Sequence, residues 1–259
     1  MGTRLITELQ PRLASLYRHA LEQGMAMDCH GDIEPLHRYR VALRKLRCLL
    51  KLYRPYLPQE AVQALLVSTG QQARISNRMR DLDVFADSLG EAHPLAALVR
   101  QWREETFTQL YLALGQLKRE RQLCLVCLSL PWGKGEEAFE EVTGKLERKL
   151  TRKAEKDLHR ARESGTAEDW HRLRLRIKAQ RYLKEVCLPH KPWKREKALQ
   201  DALGEFNDSC SQIGFLESRL DEVDEGVRPQ MKTLLGETRK RMAQQLAQLN
   251  QQSWQAEQN

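Results

Sequence analysis

The sequence predicts an all-α protein, and three observations carry that prediction. Alternating β-branched runs bounded by turns are absent, and Leu, Ala, Gln, Glu, Arg and Lys dominate instead. Apolar residues recur at steps of three and four almost throughout, the spacing of one face of an α-helix. Helix-breaking residues gather in short clusters near Gly31–Pro35, Pro55–Pro58, Gly90–Pro94, Pro131–Gly135, Ser164–Thr166, Pro189–Pro192 and Gly226–Pro229. These clusters divide the chain into roughly eight helices. Asp32 or Glu34 ahead of Pro35, and Thr166 or Asp169 ahead of Trp170, are the clearest N-terminal signals, since their oxygens can accept from otherwise unpaired first-turn amides.

At 259 residues the chain is long enough for one large domain or two halves with separate cores. A hydrophobic fraction of 41% with 30% charged residues excludes a disordered chain. No apolar run approaches the roughly 20 residues of a membrane span; the longest, Leu123 to Leu130, is too short. The start, Met-Gly-Thr-Arg-Leu-Ile-Thr-Glu, lacks the hydrophobic segment of a secretory signal, and Ile6 stands where a myristoylation signal wants Ser or Thr. Six cysteines in a chain this long do not make a disulfide framework. They sit mostly in apolar stretches, as Cys48, Cys187 and Cys210 do, so reduced thiols in a cytoplasmic protein are expected.

Net charge is +8, and its distribution says more than its total. Leu36 to Arg54 holds Arg38, Arg40, Arg44, Lys45, Arg47, Lys51 and Arg54 and no acid. His171 to Lys184 holds Arg172, Arg174, Arg176, Lys178, Arg181 and Lys184, again with no acid. These two segments carry more positive charge than the whole chain, so the remainder is net negative. Concentration of this kind points to anionic partners.

The two segments are also alike. His37-Arg-Tyr-Arg-Val-Ala-Leu-Arg-Lys-Leu-Arg47 aligns with His171-Arg-Leu-Arg-Leu-Arg-Ile-Lys-Ala-Gln-Arg181 at an offset of 134, with His, Arg, Arg, a basic residue and Arg in register. Asn77-Arg-Met-Arg-Asp81 aligns with Gly204-Glu-Phe-Asn-Asp208 at an offset of 127. Two kinds of segment recurring in one order indicate a duplicated helical unit, about 1–130 and about 136–259, joined at Ser129–Gly135.

On a helix, His37, Arg40, Arg44, Arg47, Lys51 and Arg54 form one stripe. Leu36, Tyr39, Leu43, Leu46, Leu50 and Tyr53 form an apolar stripe beside it, which would hold the cations at the edge of the core. His171, Arg174, Lys178 and Arg181 repeat the basic stripe, with Trp170, Leu173 and Ile177 beginning its apolar neighbour. Like charges at these separations repel, and nothing within either segment neutralises them. Acids elsewhere (Asp81, Asp83, Asp208) offer partial compensation, and a bound polyanion would supply the rest. A phosphate chain fits because each unit presents charged oxygens to guanidinium forks repeated along the helix axis. The plainer alternative is a pair of solvated faces, and the duplicated histidine and spacing argue against it.

Other chemistries find less support. His37 and His171 are either packing residues or phosphate donors, stronger when protonated. No Cys/His cluster offers a metal set; Cys124-Leu-Val-Cys127 has the gap but no second pair. No Walker-type loop or nucleophile motif is present, so neither a catalytic residue nor a cofactor is expected. Asp81 and Asp208 read as partners that hold stripe arginines. Lys145 to Arg162 sets eight Lys/Arg against three acids, equally consistent with a solvated helix and with an extended anion surface.

Together these elements resemble the CHAD domain, the conserved histidine α-helical domain. His37, Arg40, Arg44 and Arg47 are similar to its first histidine motif. His171 to Arg181 with Tyr182 resembles its second, Leu203-Gly-Glu-Phe-Asn-Asp208 its Leu-Gly-x-x-Asn-Asp element, and Arg80-Asp-Leu-Asp-Val84 its Arg-Asp-x-Asp-Val element. The resemblance spans about Leu5 to Leu246. It implies two pseudo-symmetric helical bundles around a central basic cavity, inorganic polyphosphate as ligand and, in some members, association with polyphosphate granules. Asn77, where glycine is usual, and Gln180, which interrupts the second stripe, depart from the pattern.

The expected function is therefore non-catalytic polyphosphate binding by a cytoplasmic protein. The residues expected to carry it are His37, Arg38, Arg40, Arg44, Lys45, Arg47, Lys51 and Arg78, and His171, Arg172, Arg174, Lys178, Arg181 and Tyr182. Nucleic-acid binding is the alternative, weakened by the lack of stacking aromatics on the stripes. An enzyme acting on phosphate chains comes third, because no carboxylate cluster lies near the histidines. No membrane partner is expected, and protein partners are not legible in the sequence.

Overall fold

The structure is a computed structural model, and it describes residues 3–29, 32–89, 93–133, 135–190 and 197–251. These residues form ten α-helices: α1 (Leu5–Met25), α2 (Glu34–Tyr53), α3 (Gln59–Ile75), α4 (Asn77–Leu89), α5 (Ala96–Gln116), α6 (Lys118–Ser129), α7 (Phe139–Ser164), α8 (Ala167–Cys187), α9 (Lys197–Arg219) and α10 (Arg228–Gln251). A 3-10 turn, Arg54–Tyr56, follows α2. The only β pairing among the described residues is an isolated bridge between Arg4 and Ala138. All seven expected breaks fall between helices, although His30, Gly31, residues 90–92 and residues 191–196 lie outside the described residues.

Two further breaks, at Ser76 and Leu117, raise the helix number above the eight read from sequence. Neither position carries Gly or Pro. At Ser76 the backbone turns to φ −90°, ψ −1°. Its hydroxyl donates to the Ala73 carbonyl at 2.9 Å and accepts from Arg40 at 2.7 Å. A serine hydroxyl that bonds its own helix competes with the backbone ladder, and a guanidinium docked on it favours the interruption.

The helices fall into two compact units, and the division lies after Leu146, within α7. In the first, α1 and α2 pack along most of their length. Leu5, Leu9, Leu13, Tyr17 and Ala20 face Leu36, Tyr39, Leu43, Leu46, Leu50 and Tyr53, all buried. The apolar stripe read on α2 is thus the core stripe, each large side chain stabilising by about 1.5–3 kcal/mol. A buried polar set fixes the register: Tyr39 donates to Gln72 Oε1 at 3.4 Å, and Gln72 Nε2 donates to the Tyr17 hydroxyl at 3.0 Å. These three residues join α1, α2 and α3 at 0% exposure, and burial pushes the Tyr39 phenol up to about 12. The start of α1 is tied down by Leu5 N–H to the Glu137 carbonyl (2.7 Å) and Ile6 N–H to the Gly135 carbonyl (3.0 Å). Gly135 has φ +96°, and a Cβ there would stand 3.0 Å from the Ile6 side chain, so both conformation and space call for glycine.

The second unit is built on Leu158 and Ala161 of α7, Trp170, Leu173 and Ile177 of α8, Leu199, Leu203 and Phe206 of α9, and Leu249 of α10. Thr166 is the N-cap of α8, its hydroxyl accepting from the Asp169 amide. At the start of α2 the Asp32 carboxylate accepts from Glu34 N–H at 2.9 Å. No helix among the described residues is long and apolar enough to cross a membrane.

Candidate functional site

The α2 stripe lies against the end of α3 and the start of α4. Arg40 is the pivot. Its Nη1 donates to Ser76 Oγ (2.7 Å), Asn77 Oδ1 (2.9 Å) and the Ala73 carbonyl (3.2 Å), three uncharged acceptors. The break at Ser76 brings these acceptors together. Desolvation, with Arg44 and Arg80 adding repulsion, pushes the Arg40 guanidinium down to about 10, so it stays cationic at neutral pH. Asp81 pulls in the opposite direction. Among the described residues, Arg44 donates only to the Arg40 carbonyl, at 3.3 Å within its own helix.

Two neighbours extend the cluster. His37 is half-buried, and its Nδ1 is buried with no hydrogen-bond partner among the described residues. Burial, then Arg80, Arg44 and Arg40, hold its imidazole below the ordinary value, against the pull of Glu34. One turn beyond Arg44, Arg47 lies over Gly70 of α3. A Cβ on Gly70 would fall 2.6 Å from Arg47 Nη1, so glycine lets α3 approach and seats the guanidinium in the gap. Burial and Arg74 lower the Arg47 pKa. A recessed row of cations results, running from His37 through Arg40 and Arg44 to Arg47, with Arg80 and Arg74 beside it. Within the row, the hydrogen bonds of Arg40 and Arg44 go to neutral oxygens, while Asp81 acts on Arg40 from nearby.

The remaining first-unit candidates lie outside this row. Arg38 is exposed and pairs with Glu34 at 3.0 Å, Lys51 and Arg78 face solvent, and Lys45 is half-buried. Arg80 and Arg74 were not among the residues expected from sequence. They follow no stripe, because the break at Ser76 separates them, and only the packing of α3 and α4 brings them in. Of the expected acids, Asp81 acts on Arg40, but Asp83 is engaged by Arg103 of α5 at 2.9 Å.

The second stripe is different in character. Arg172 pairs with Asp169 at 2.8 Å, Arg176 with Asp157 at 3.1 Å and Arg181 with Glu185 at 3.2 Å. The expectation of an unneutralised segment fails here. Asp169 and Glu185 flank the acid-free run at i−3 and i+4, and Asp157 reaches across from α7. His171 is exposed, while Arg174 and Lys178 are half-buried. Tyr182 lies in the core at 4% exposure with the Arg181 guanidinium 5.3 Å from its ring centre. Gln180 is buried and donates to Thr151 at 3.1 Å, which accounts for the polar residue that interrupts the stripe. Asp208 is exposed and holds none of the α8 arginines among the described residues.

Among the described residues the cysteines form no disulfide. Burial raises the Cys127 thiol, with Cys124 adding to it, the reverse of an activated thiolate. Among the described residues, no group of three or more His, Cys, Asp or Glu side chains is placed to hold a metal ion.

The described residues form α-helices and their connections, with a row of arginines headed by His37 along α2. The sequence pattern of the CHAD domain matches residues 10–217, and the chain belongs to the CHAD-domain family. Its fold is similar to that of the CHAD domain from the plant Ricinus communis, with a TM-score of 0.74 and 20% identity over 98% of this chain and 89% of that one. It is also similar to PptA from Streptomyces chartreusis, with a TM-score of 0.72 and 12% identity over 97% of this chain and 99% of that one. No curated protein sequence matches the chain.

Proposed function

We propose that this protein binds inorganic polyphosphate without processing it, using the α2 row as its principal site. The observation that carries this reading is the environment of Arg40: a desolvated guanidinium held by three neutral oxygens, with Arg44, Arg80 and His37 close by. Desolvated like charges are costly without an anion, and a phosphate chain offers charged oxygens at each unit to successive guanidinium groups. The row follows one helix face with its arginines half-buried, an arrangement that a flexible phosphate chain can track along the helix axis. Membership of the CHAD family, for which the sequence resemblance implies polyphosphate, supports the same ligand. We read α2 and α8 as duplicated elements, of which α2 keeps the open charge. Association with polyphosphate granules in the cytoplasm would follow from such a site.

Titration with long-chain polyphosphate should give saturable, salt-sensitive binding with no release of orthophosphate. The affinity should rise as pH falls through the region below about 6.5, because bound phosphate favours the proton that burial denies His37. The free protein should behave in the opposite way. His37 has a lowered pKa when folded, so the unfolded chain binds more protons in this window and stability falls with falling pH. His37→Gln should flatten both trends. Orthophosphate release abolished by His37→Ala would replace this reading with an enzymatic one.

A further inference from the structure

In the second unit, a dense set of exposed positive charge lies on the outer face of α7. Arg148, Lys149, Arg152, Lys153, Lys156 and Arg160 are all exposed. At 100° per residue they occupy an arc of about 140° extending about 18 Å along the helix. The opposite side of α7 carries Leu150, Ala154, Leu158 and Ala161 into the core. No acid lies within the arc between Arg148 and Arg160. Glu155 stands at its edge, Asp157 is engaged by Arg176, and Glu163 beyond its end is engaged by His159 at 3.1 Å. Arg148, Lys149, Arg152, Lys153 and Lys156 hold no ion pair or hydrogen bond among the described residues, while Arg160 acts on Asp169.

We propose that this face of α7 is a second binding surface, for the phosphate backbone of duplex nucleic acid. Three features select that partner. The arc contains no apolar, Phe, Tyr or Trp side chain, so it has nothing to insert into a lipid surface and no large aromatic platform for single-stranded bases, and its His159 is engaged by Glu163. Its breadth is more than one phosphate chain can follow, whereas cations on both flanks of a helix can meet the two phosphate rows of a groove about 12 Å wide. Lysines share the face with arginines, and contacts of these cations to phosphate position a duplex without carrying sequence information. The site differs from the α2 row in kind: its cations are solvated, and attraction comes from counterion release rather than from desolvated arginines.

The test uses the full chain and two variants. Lys149→Gln/Lys153→Gln/Lys156→Gln alters side chains that hold no internal hydrogen bond or ion pair, and it should leave the fold intact, as circular dichroism and thermal melting will show. At about 0.1 M salt it should weaken binding of a random-sequence DNA duplex at least tenfold. The log–log salt slope should fall by about 0.9 for each phosphate no longer neutralised. Polyphosphate affinity should change less than about threefold, since the α2 row is untouched. Arg40→Glu/Arg44→Glu should show the converse pattern. Duplex binding that survives the triple substitution, or a triple variant that loses polyphosphate instead of duplex, would overturn the proposal.

Discussion

Arg40→Glu/Arg44→Glu should weaken polyphosphate binding by about 100-fold or more, since hydrogen bonds to charged groups contribute about 1.5–3 kcal/mol each and reversal adds repulsion to their loss. Arg44→Glu alone separates binding from folding. Arg44 makes one hydrogen bond, to its own helix, whereas Arg40 joins α2 to α3 and α4 through Ala73, Ser76 and Asn77. The single variant should therefore keep its melting temperature and still lose about tenfold in affinity. Gly70→Ala supplies the complementary arm without changing charge. The new methyl would meet Arg47 Nη1 at 2.6 Å and displace it from the row, so affinity should fall severalfold. Charge alone predicts no change in that variant, so undiminished binding in Gly70→Ala would show that the seat of Arg47 is irrelevant.

The second large effect is on stability. Trp170→Ala removes a side chain at 0% exposure, packed with Leu173, Ile177, Leu203 and Phe206, whose indole N–H donates to Asn250 at 2.8 Å. Truncating a fully buried tryptophan costs about 3–5 kcal/mol, a large part of the 5–15 kcal/mol typical of a folded domain. Asn250 in turn donates to the Gly165 carbonyl at 3.3 Å, so the substitution also loosens the joint between α7 and α8. Thermal unfolding should move down by roughly 6–20 °C, with hydrogen exchange faster in α8 and α10. A shift of less than about 2 °C would mean that this tryptophan does not anchor the second core.

Periodicity and punctuation made much of the fold legible. The apolar stripe of α2 could be read residue by residue because helical spacing and burial report the same property, and the Gly and Pro clusters marked seven of the helix boundaries. The breaks at Ser76 and Leu117 carry no such mark. The one at Ser76 accompanies a tertiary contact, a guanidinium from α2 docked on the serine, and no local rule anticipates it. The same contact explains why Arg80 and Arg74 were missed.

The α8 stripe shows a different failure. Its segment is acid-free from His171 to Lys184, yet Asp169 and Glu185 lie just beyond those limits, at spacings that place them one turn from Arg172 and Arg181. Charge pairing at i−3 and i+4 is a local property, legible once the acids that border the run are counted with it. The pairing of Arg176 with Asp157 of α7 was not readable, because it depends on how two helices pack. The two histidine motifs look equivalent as strings and differ in electrostatics: one row rests on neutral oxygens, while several arginines of the other are paired with carboxylates.

The central claim is that a recessed row on α2 selects polyphosphate over other polyanions. Its most direct test is a competition in which labelled polyphosphate is bound to the full chain and duplex DNA is added at equal phosphate concentration. The account predicts that polyphosphate stays bound while DNA associates elsewhere, because the half-buried arginines of α2 hold the phosphate chain and the solvated face of α7 holds the duplex. Displacement of polyphosphate by DNA at equal phosphate concentration would contradict it.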